Sequence, residues 1–364
     1  MQIFGQNIKR TPVHVSTHGS NKIFEEEKKM RKFFAILLCT AMLTAIAACG
    51  KSEKEYKLGM GVSVSFEDTA ETNAQVDATV AAVILDAEGK IAYCRIDAAQ
   101  NKMDVTDGAV DAAASYKSKM ELGDDYNMKK YRPEAVGEWY EQAQAFEAYC
   151  VGKTAEEIEN IPTQISEQDG RVIAADEALL AGCTIQIDDF RKAVVKACKD
   201  KWAVSFKTAG EITLGVAVTS EASQSTAATA EEDGSVKMYS EFAAAAMVDG
   251  RIAAALNDAI QPQIAIDANG IIADGIIFSG TKRELGADYN MVKYSDAIAE
   301  WDAQSAAFSN YVIGMTASEV ENIEIQIRES DGYEIAKDEK LLAGCTISIT
   351  GLKAIVAKAA KNAR

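Results

Sequence analysis

Two stretches could lodge chemistry, and they are near-copies: Ala181-Gly182-Cys183-Thr184 and Ala343-Gly344-Cys345-Thr346. Each follows Asp-Glu-x-Leu-Leu and precedes a helix-like pattern. Glycine lets a backbone approach a phosphate closely. A helix start adds unbonded N–H groups and a favourable dipole. A threonine hydroxyl in that setting can hydrogen-bond a phosphate or be esterified by one. The alternative is a structural turn whose small cysteine is buried. Gly182, Cys183, Thr184, Gly344, Cys345 and Thr346 are therefore candidate cofactor-binding positions.

A second repeated group is Lys119 with Glu121-Leu122-Gly123, Asp124-Asp125 and Tyr126-Asn127-Met128. It is answered by Lys282 with Glu284-Leu285-Gly286 and Tyr289-Asn290-Met291. A lysine for an anion and an aromatic for a flat ring could cover a ligand here, so Lys119 and Lys282 join the candidates. The competing reading is a turn that joins sheet to helix, with Tyr and Met in the core. Trp139 and Trp301, with Tyr149 and Tyr311, sit at helical spacing and read as core.

Several classes of chemistry are disfavoured. Both histidines, His14 and His18, precede a segment expected to be removed. A chain without histidine has no Ser-His or Cys-His pair and no His-ligated metal or haem. Asp124-Asp125 lacks the spaced acidic loop of a calcium site, so no metal is expected. No nucleophile–base pair for a hydrolase is visible. Cys94, Cys150 and Cys198 are answered by Ala255, Val312 and Ala360, which points to buried thiols rather than an encoded disulfide. Residues 1–48 hold 7 basic and 3 acidic side chains, so the rest carries 31 and 52, a formal charge of −21. That balance argues against a nucleic-acid partner, which needs clustered Lys and Arg.

The N-terminus reads as an address. Met30-Arg31-Lys32 opens a basic region and Phe33 to Ala45 is apolar, shorter than the roughly 20 residues of a spanning helix. Ile46-Ala47-Ala48-Cys49-Gly50 follows and resembles the bacterial lipobox, which implies lipidation at Cys49. The expected division is 1–29 as an upstream extension before the true start at Met30, 30–48 as a lipoprotein signal peptide and 49–56 as a tether. Two repeat domains, 57–206 and 207–364, then follow. The placement implied is extracytoplasmic, lipid-anchored to the cell membrane.

The elements that must position the candidates repeat as well. Val76–Leu85 and Lys90–Asp97 flank a turn and read as a hairpin, answered by Met238–Val248 and Arg251–Asn257. Gln263–Asp267 and 270–274 read as further strands. Pro133 to Cys150 reads as a helix with Val136, Trp139, Ala143, Phe146 and Cys150 on one face. Thr154 and Thr316 open short helices as capping boxes. Asp188 and Thr350 are expected to cap the last helix of each repeat. Ser220 to Thr229 reads as a surface loop. The expectation is α+β, each repeat a small antiparallel sheet with packed helices.

Strand, Asp/Glu-Gly-Lys/Arg turn, strand, and a late Gly-x-Thr turn before a C-terminal helix together resemble the FMN-binding domain of extracytoplasmic flavoproteins. That family's turn runs roughly Ser-Gly-Ala-Thr before text like Ala-Val-x-x-Ala. Here Ala193-Val194-Val195-Lys196-Ala197 and Ile355-Val356-Ala357-Lys358-Ala359 follow the two turns. Ala181 and Ala343 replace the family's Ser, and Cys183 and Cys345 its Ala. The resemblance implies bound FMN, esterified to Thr184 and Thr346 by a separate flavin transferase. It also implies electron carriage to a membrane redox partner rather than turnover of a substrate. The competing reading is a surface lipoprotein that binds a ligand or partner and has lost its flavin.

Overall fold

The computed structural model describes residues 52–364. The extension 1–29, the signal peptide 30–48 and Cys49 lie outside them; the tether expected over 49–56 is cut short, because Lys54–Tyr56 already pair with β7 as the start of β1. Glu53–Arg364 form one compact unit containing both repeats. Among the described residues no helix is long and apolar enough to cross a membrane.

Repeat one builds β1 (Lys54–Ser65), β2 (Asn73–Leu85), β3 (Ile91–Asp104), a short β4 (Ser115–Tyr116), the hairpin β5 (Thr163–Ile165) and β6 (Val172–Ala174), and β7 (Val204–Thr208). Repeat two builds β8 (Ile212–Glu221), β9 (Gly234–Lys237), β10 (Tyr239–Val248), β11 (Arg251–Ile260), β12 (Gln263–Ile266), β13 (Ile272–Ile277) and the hairpin β14 (Ile325–Ile327) and β15 (Glu334–Ala336). Two antiparallel sheets run β3-β2-β1-β7 and β11-β10-β8-β4. A smaller sheet runs β13-β12-β9. The longer helices are α1 (Trp139–Cys150), α2 (Ala155–Glu159) and α3 (Asp188–Cys198) in repeat one, and α4 (Trp301–Tyr311), α5 (Ala317–Glu321) and α6 (Thr350–Lys361) in repeat two.

Side chains alternate across a strand, and here each face meets a different neighbour. Ala78, Val80, Ala82 and Ile84 of β2 join Phe242, Ala244 and Ala246 of β10 in a core shared by the two large sheets. Ala81, Val83 and Leu85 turn the other way, onto Trp139, Phe146, Phe190 and Val194. Ala243, Ala245 and Met247 do the same against Trp301, Phe308, Leu352 and Val356. The order is helices, sheet, sheet, helices. Burial of both faces explains why β2 is a continuous apolar run rather than an alternating one. The mixed α and β architecture is as expected, while the central core belongs to both repeats.

Close approach of helix to sheet sets two glycines. A Cβ at Gly59 would stand 2.0 Å from the Ala197 carbonyl oxygen, and one at Gly215 would stand 1.9 Å from that of Ala359. The repeats are also tied by charge. Lys196 of α3 meets Glu284 at 2.7 Å, and Lys358 of α6 meets Glu121 at 2.8 Å, a reciprocal pair. Arg283 donates to both carboxylate oxygens of buried Asp200 at 3.0 Å, beneath the Trp202 ring. β4 of repeat one pairs with the end of β8 in repeat two.

Both hairpins and both capping boxes at Thr154 and Thr316 form as expected. Three local expectations need correction. The helix expected from Pro133 begins at Trp139, because Glu138 takes the cap position and its carboxylate accepts from the Met128 and Lys129 amides. Val136 is consequently 49% exposed and off the apolar face. Asp188 and Thr350 are the first residues of α3 and α6 rather than their caps, which are Ile187 and Ile349 without side-chain bonds. Ser220 and Glu221 still belong to β8, and Ala222 and Ser225 are buried, so that loop is anchored at its start.

Candidate functional site

The two Ala-Gly-Cys-Thr turns share one environment. Gln142 of α1 is fully buried, and its side-chain oxygen accepts from the Thr184 amide at 2.8 Å and hydroxyl at 3.1 Å. Gln304 of α4 does the same for Thr346 at the same distances. The glutamine nitrogens donate to Gly137 O at 2.8 Å and Ala299 O at 2.7 Å. Each turn is thereby clasped to a helix by a fully bonded amide. Trp-x-x-Gln recurs in both repeats, and that signal could have pointed to these glutamines.

The rest of each turn packs inward. A Cβ at Gly182 would stand 2.8 Å from Ala145 Cβ, and one at Gly344 would stand 3.0 Å from Ala307 Cβ. These glycines admit a helix. Cys183 and Cys345 are fully buried, and burial pushes their thiols up to about 12 and about 11. The helix start lies beyond the threonines, at Asp188 and Thr350, so Thr184 and Thr346 do not stand at a helix N-terminus. All five cysteines of the described residues are free.

The two lysines open one-turn helices, Lys119–Leu122 and Lys282–Leu285, under Ser118 and Thr281 capping boxes. Buried Asp97 accepts from the Met120 amide and Asp258 from the Arg283 amide, each at 3.1 Å. Burial pushes both carboxyls up to about 6. These contacts aim each lysine at aromatic rings. Lys119 Nζ lies 5.0 Å from the Tyr126 ring centre and 5.5 Å from that of Trp139. Lys282 Nζ lies 4.8, 5.1 and 5.4 Å from those of Tyr239, Tyr289 and Trp301. Trp139 and Trp301 are otherwise core residues, 4% exposed.

Lys282 is 8% exposed, and burial lowers its ammonium to about 8, with Glu241 and Asp258 opposing the shift. Among the described residues its Nζ has no hydrogen-bond acceptor and no carboxylate within ion-pair distance. The π faces of three rings are what it has. It opens on a cleft of about 1200 Å³ in repeat two. Thr346, Arg328, Tyr239, Glu241 and Tyr333 line the same cleft, and Ser115 of β4 supplies part of its wall. Tyr239 donates to Glu241 at 3.1 Å, and burial raises the Glu241 carboxyl. Arg328 bonds the Thr346 carbonyl at 2.8 Å and Asp331 at 2.9 Å. The structure thus brings Lys282 and Thr346 together on one cleft, which Gly344 and Cys345 do not line. Tyr239 and Arg328 were not singled out from sequence, because neither is repeated.

No protein-family profile matches the chain, and no solved structure matches it. One curated relative is a chlorophenol reductase of Desulfitobacterium hafniense, 26% identical over 199 residues. The match covers 50% of this chain and 60% of that protein, so the chain spans less than two thirds of the relative's length.

Proposed function

We propose that the chain is an extracytoplasmic lipoprotein, anchored through Cys49, that carries electrons on a flavin held in the repeat-two cleft. The observation that carries this reading is Lys282: a buried ammonium, ringed by three aromatics, facing a cleft and with no carboxylate within ion-pair distance among the described residues. Such a position suits a planar ring system bearing oxygens. Tyr239, Tyr289 and Trp301 offer ring faces beside Lys282, while a phosphate at the other end would share Arg328 with Asp331 and the Thr346 hydroxyl with Gln304. When bound, the flavin supplies one- and two-electron redox chemistry that these side chains lack. Gln304 holds the Thr346 turn in place, and Glu241 holds Tyr239. Thr346 is the attachment position that the family resemblance assigns in this cleft, and Thr184 is its counterpart in repeat one. A flavin transferase and a membrane redox partner complete the reading.

The test is to produce the protein together with a flavin transferase and record its absorbance before and after denaturation. Yellow protein that keeps its flavin when unfolded, with added mass at Thr346, is the expected result. Yellow protein that loses flavin on unfolding retains the binding site and removes the ester. Colourless protein without added mass overturns the reading.

A second reading keeps the cleft and drops the flavin: a surface lipoprotein that binds a small aromatic anion. Its support is the turn itself, where Gln304 already takes both the amide and the hydroxyl of Thr346. The likeness to a protein named for chlorophenol reduction covers half of this chain and carries neither reading.

A further inference from the structure

Strand pairing relates the two repeats position by position. Gly59 faces Val83 in repeat one and Gly215 faces Ala245 in repeat two. Both glycines meet the same point on the C-terminal helix of their repeat. Counting back along β2 and β10 from these pairs places Asp77 where repeat two has Tyr239. The small hairpins align in the same way. Ile165 and Ile327 end β5 and β14, so Ser166 stands where repeat two has Arg328. The amides of Ser166 and Arg328 donate across their hairpins to Arg171 and Tyr333 respectively.

These two exchanges change what each lysine needs. In repeat two, Lys282 faces the Tyr239 ring, and Glu241 and Asp258 stand close enough to oppose the lowering that burial imposes, though neither is within ion-pair distance. In repeat one, the place of Tyr239 belongs to a carboxylate, and Lys119 stands close enough to Asp77 for its charge to oppose the upward shift that burial imposes there. Asp77 is fixed by a 2.7 Å bond from Gln75. Ser166 cannot supply the cation that Arg328 sets beside the Thr346 turn, and in repeat one Arg132 and Arg171 pair instead with Asp169, the counterpart of Asp331.

We infer that the chain holds one ligand rather than two: repeat two binds a planar anion through Lys282 and Tyr239, and repeat one is its scaffold. The inference rests on the ligand-site reading above and narrows it. Among the described residues neither lysine has a carboxylate within ion-pair distance; what separates them is that Lys282 is buried against three rings at the cleft, whereas Lys119 has two rings and Asp77 in the place of Tyr239. Repeat one still takes part, because its β4 closes the cleft wall with Ser115. The site is therefore built across the repeat boundary, and duplication has been followed by division of labour.

The test is calorimetric titration of the full chain with FMN. One FMN per chain is expected. Lys282→Gln removes a charge-assisted bond and should weaken binding about tenfold or more. Lys119→Gln should leave affinity within about twofold, a margin well below one lost hydrogen bond. Tyr239→Asp gives repeat two the residue of repeat one and should weaken binding like Lys282→Gln. It provides an independent check if Lys282→Gln folds poorly. Two FMN per chain, or equal losses from Lys119→Gln and Lys282→Gln, overturns the single-site inference and leaves the flavin reading standing. No binding of FMN overturns both.

Discussion

Replacing Lys282 by methionine should remove ligand binding and stabilise the protein. The wild-type ammonium is 8% exposed and its pKa falls from 10.5 to about 8. At ~1.4 kcal/mol per unit, keeping it charged at pH 7 costs about 3 kcal/mol. Three aromatic faces return part of that cost, at roughly 0.5–1 kcal/mol each or more when desolvated. Methionine fills similar volume and contacts the same rings through sulfur. The expected gain is about 1–2 kcal/mol at pH 7, read as a shift in urea midpoint with an unchanged slope. The pH dependence identifies the cause. Because the folded-state pKa is depressed, the unfolded chain binds more protons between about pH 8 and 10.5, and wild-type stability rises with pH across that window. The advantage of Lys282→Met should therefore shrink from pH 7 to pH 10. A loss above about 1 kcal/mol at pH 7, on the scale of one net hydrogen bond, would show that the buried ammonium is not a net cost to the fold. So would a gain that ignores pH.

Three further outcomes follow from the packing. Gln304→Ala strips the Thr346 amide and hydroxyl of their acceptor and should cost about 1–3 kcal/mol in denaturant unfolding, with Gln142→Ala giving a similar loss. Asp200→Asn leaves Arg283 buried beside a neutral amide and should cost about 3–5 kcal/mol. Replacing that pair by apolar residues of matched size should recover most of the loss. Gly215→Ala drives a Cβ into the Ala359 carbonyl, so α6 must shift; a loss of about 1–3 kcal/mol or more is expected in thermal unfolding. Gly59→Ala should do the same through α3.

What sequence could reveal depended on the range of the interaction. Thr154 and Thr316 were legible because a capping box is closed within four residues. The hairpins were legible because their turns and β-branched strands lie next to one another. The shared core was not, because the alternation in β2 is hidden when both faces are apolar. Only the partner of each face, distant in sequence, tells the two apart. Repetition drew attention to Thr184, Thr346, Lys119 and Lys282, and it brought out the pair, Lys282 and Thr346, that meets in the cleft. At Gly182 and Gly344 recurrence also reflects packing, because a helix passes close by. Tyr239 escaped notice for the opposite reason. Its counterpart is Asp77, and a search for identity passes over the positions where two copies have diverged.

We propose that the repeat-two cleft is a ligand site organised by a buried ammonium with no carboxylate within ion-pair distance among the described residues. The most direct measurement is a crystal structure of the full chain grown with FMN. One flavin per chain is expected in the cleft, its ring against Tyr239, Tyr289 or Trp301 and an oxygen within hydrogen-bond reach of Lys282 Nζ. A flavin seated elsewhere, or a cleft left empty at saturating FMN, would contradict the proposal.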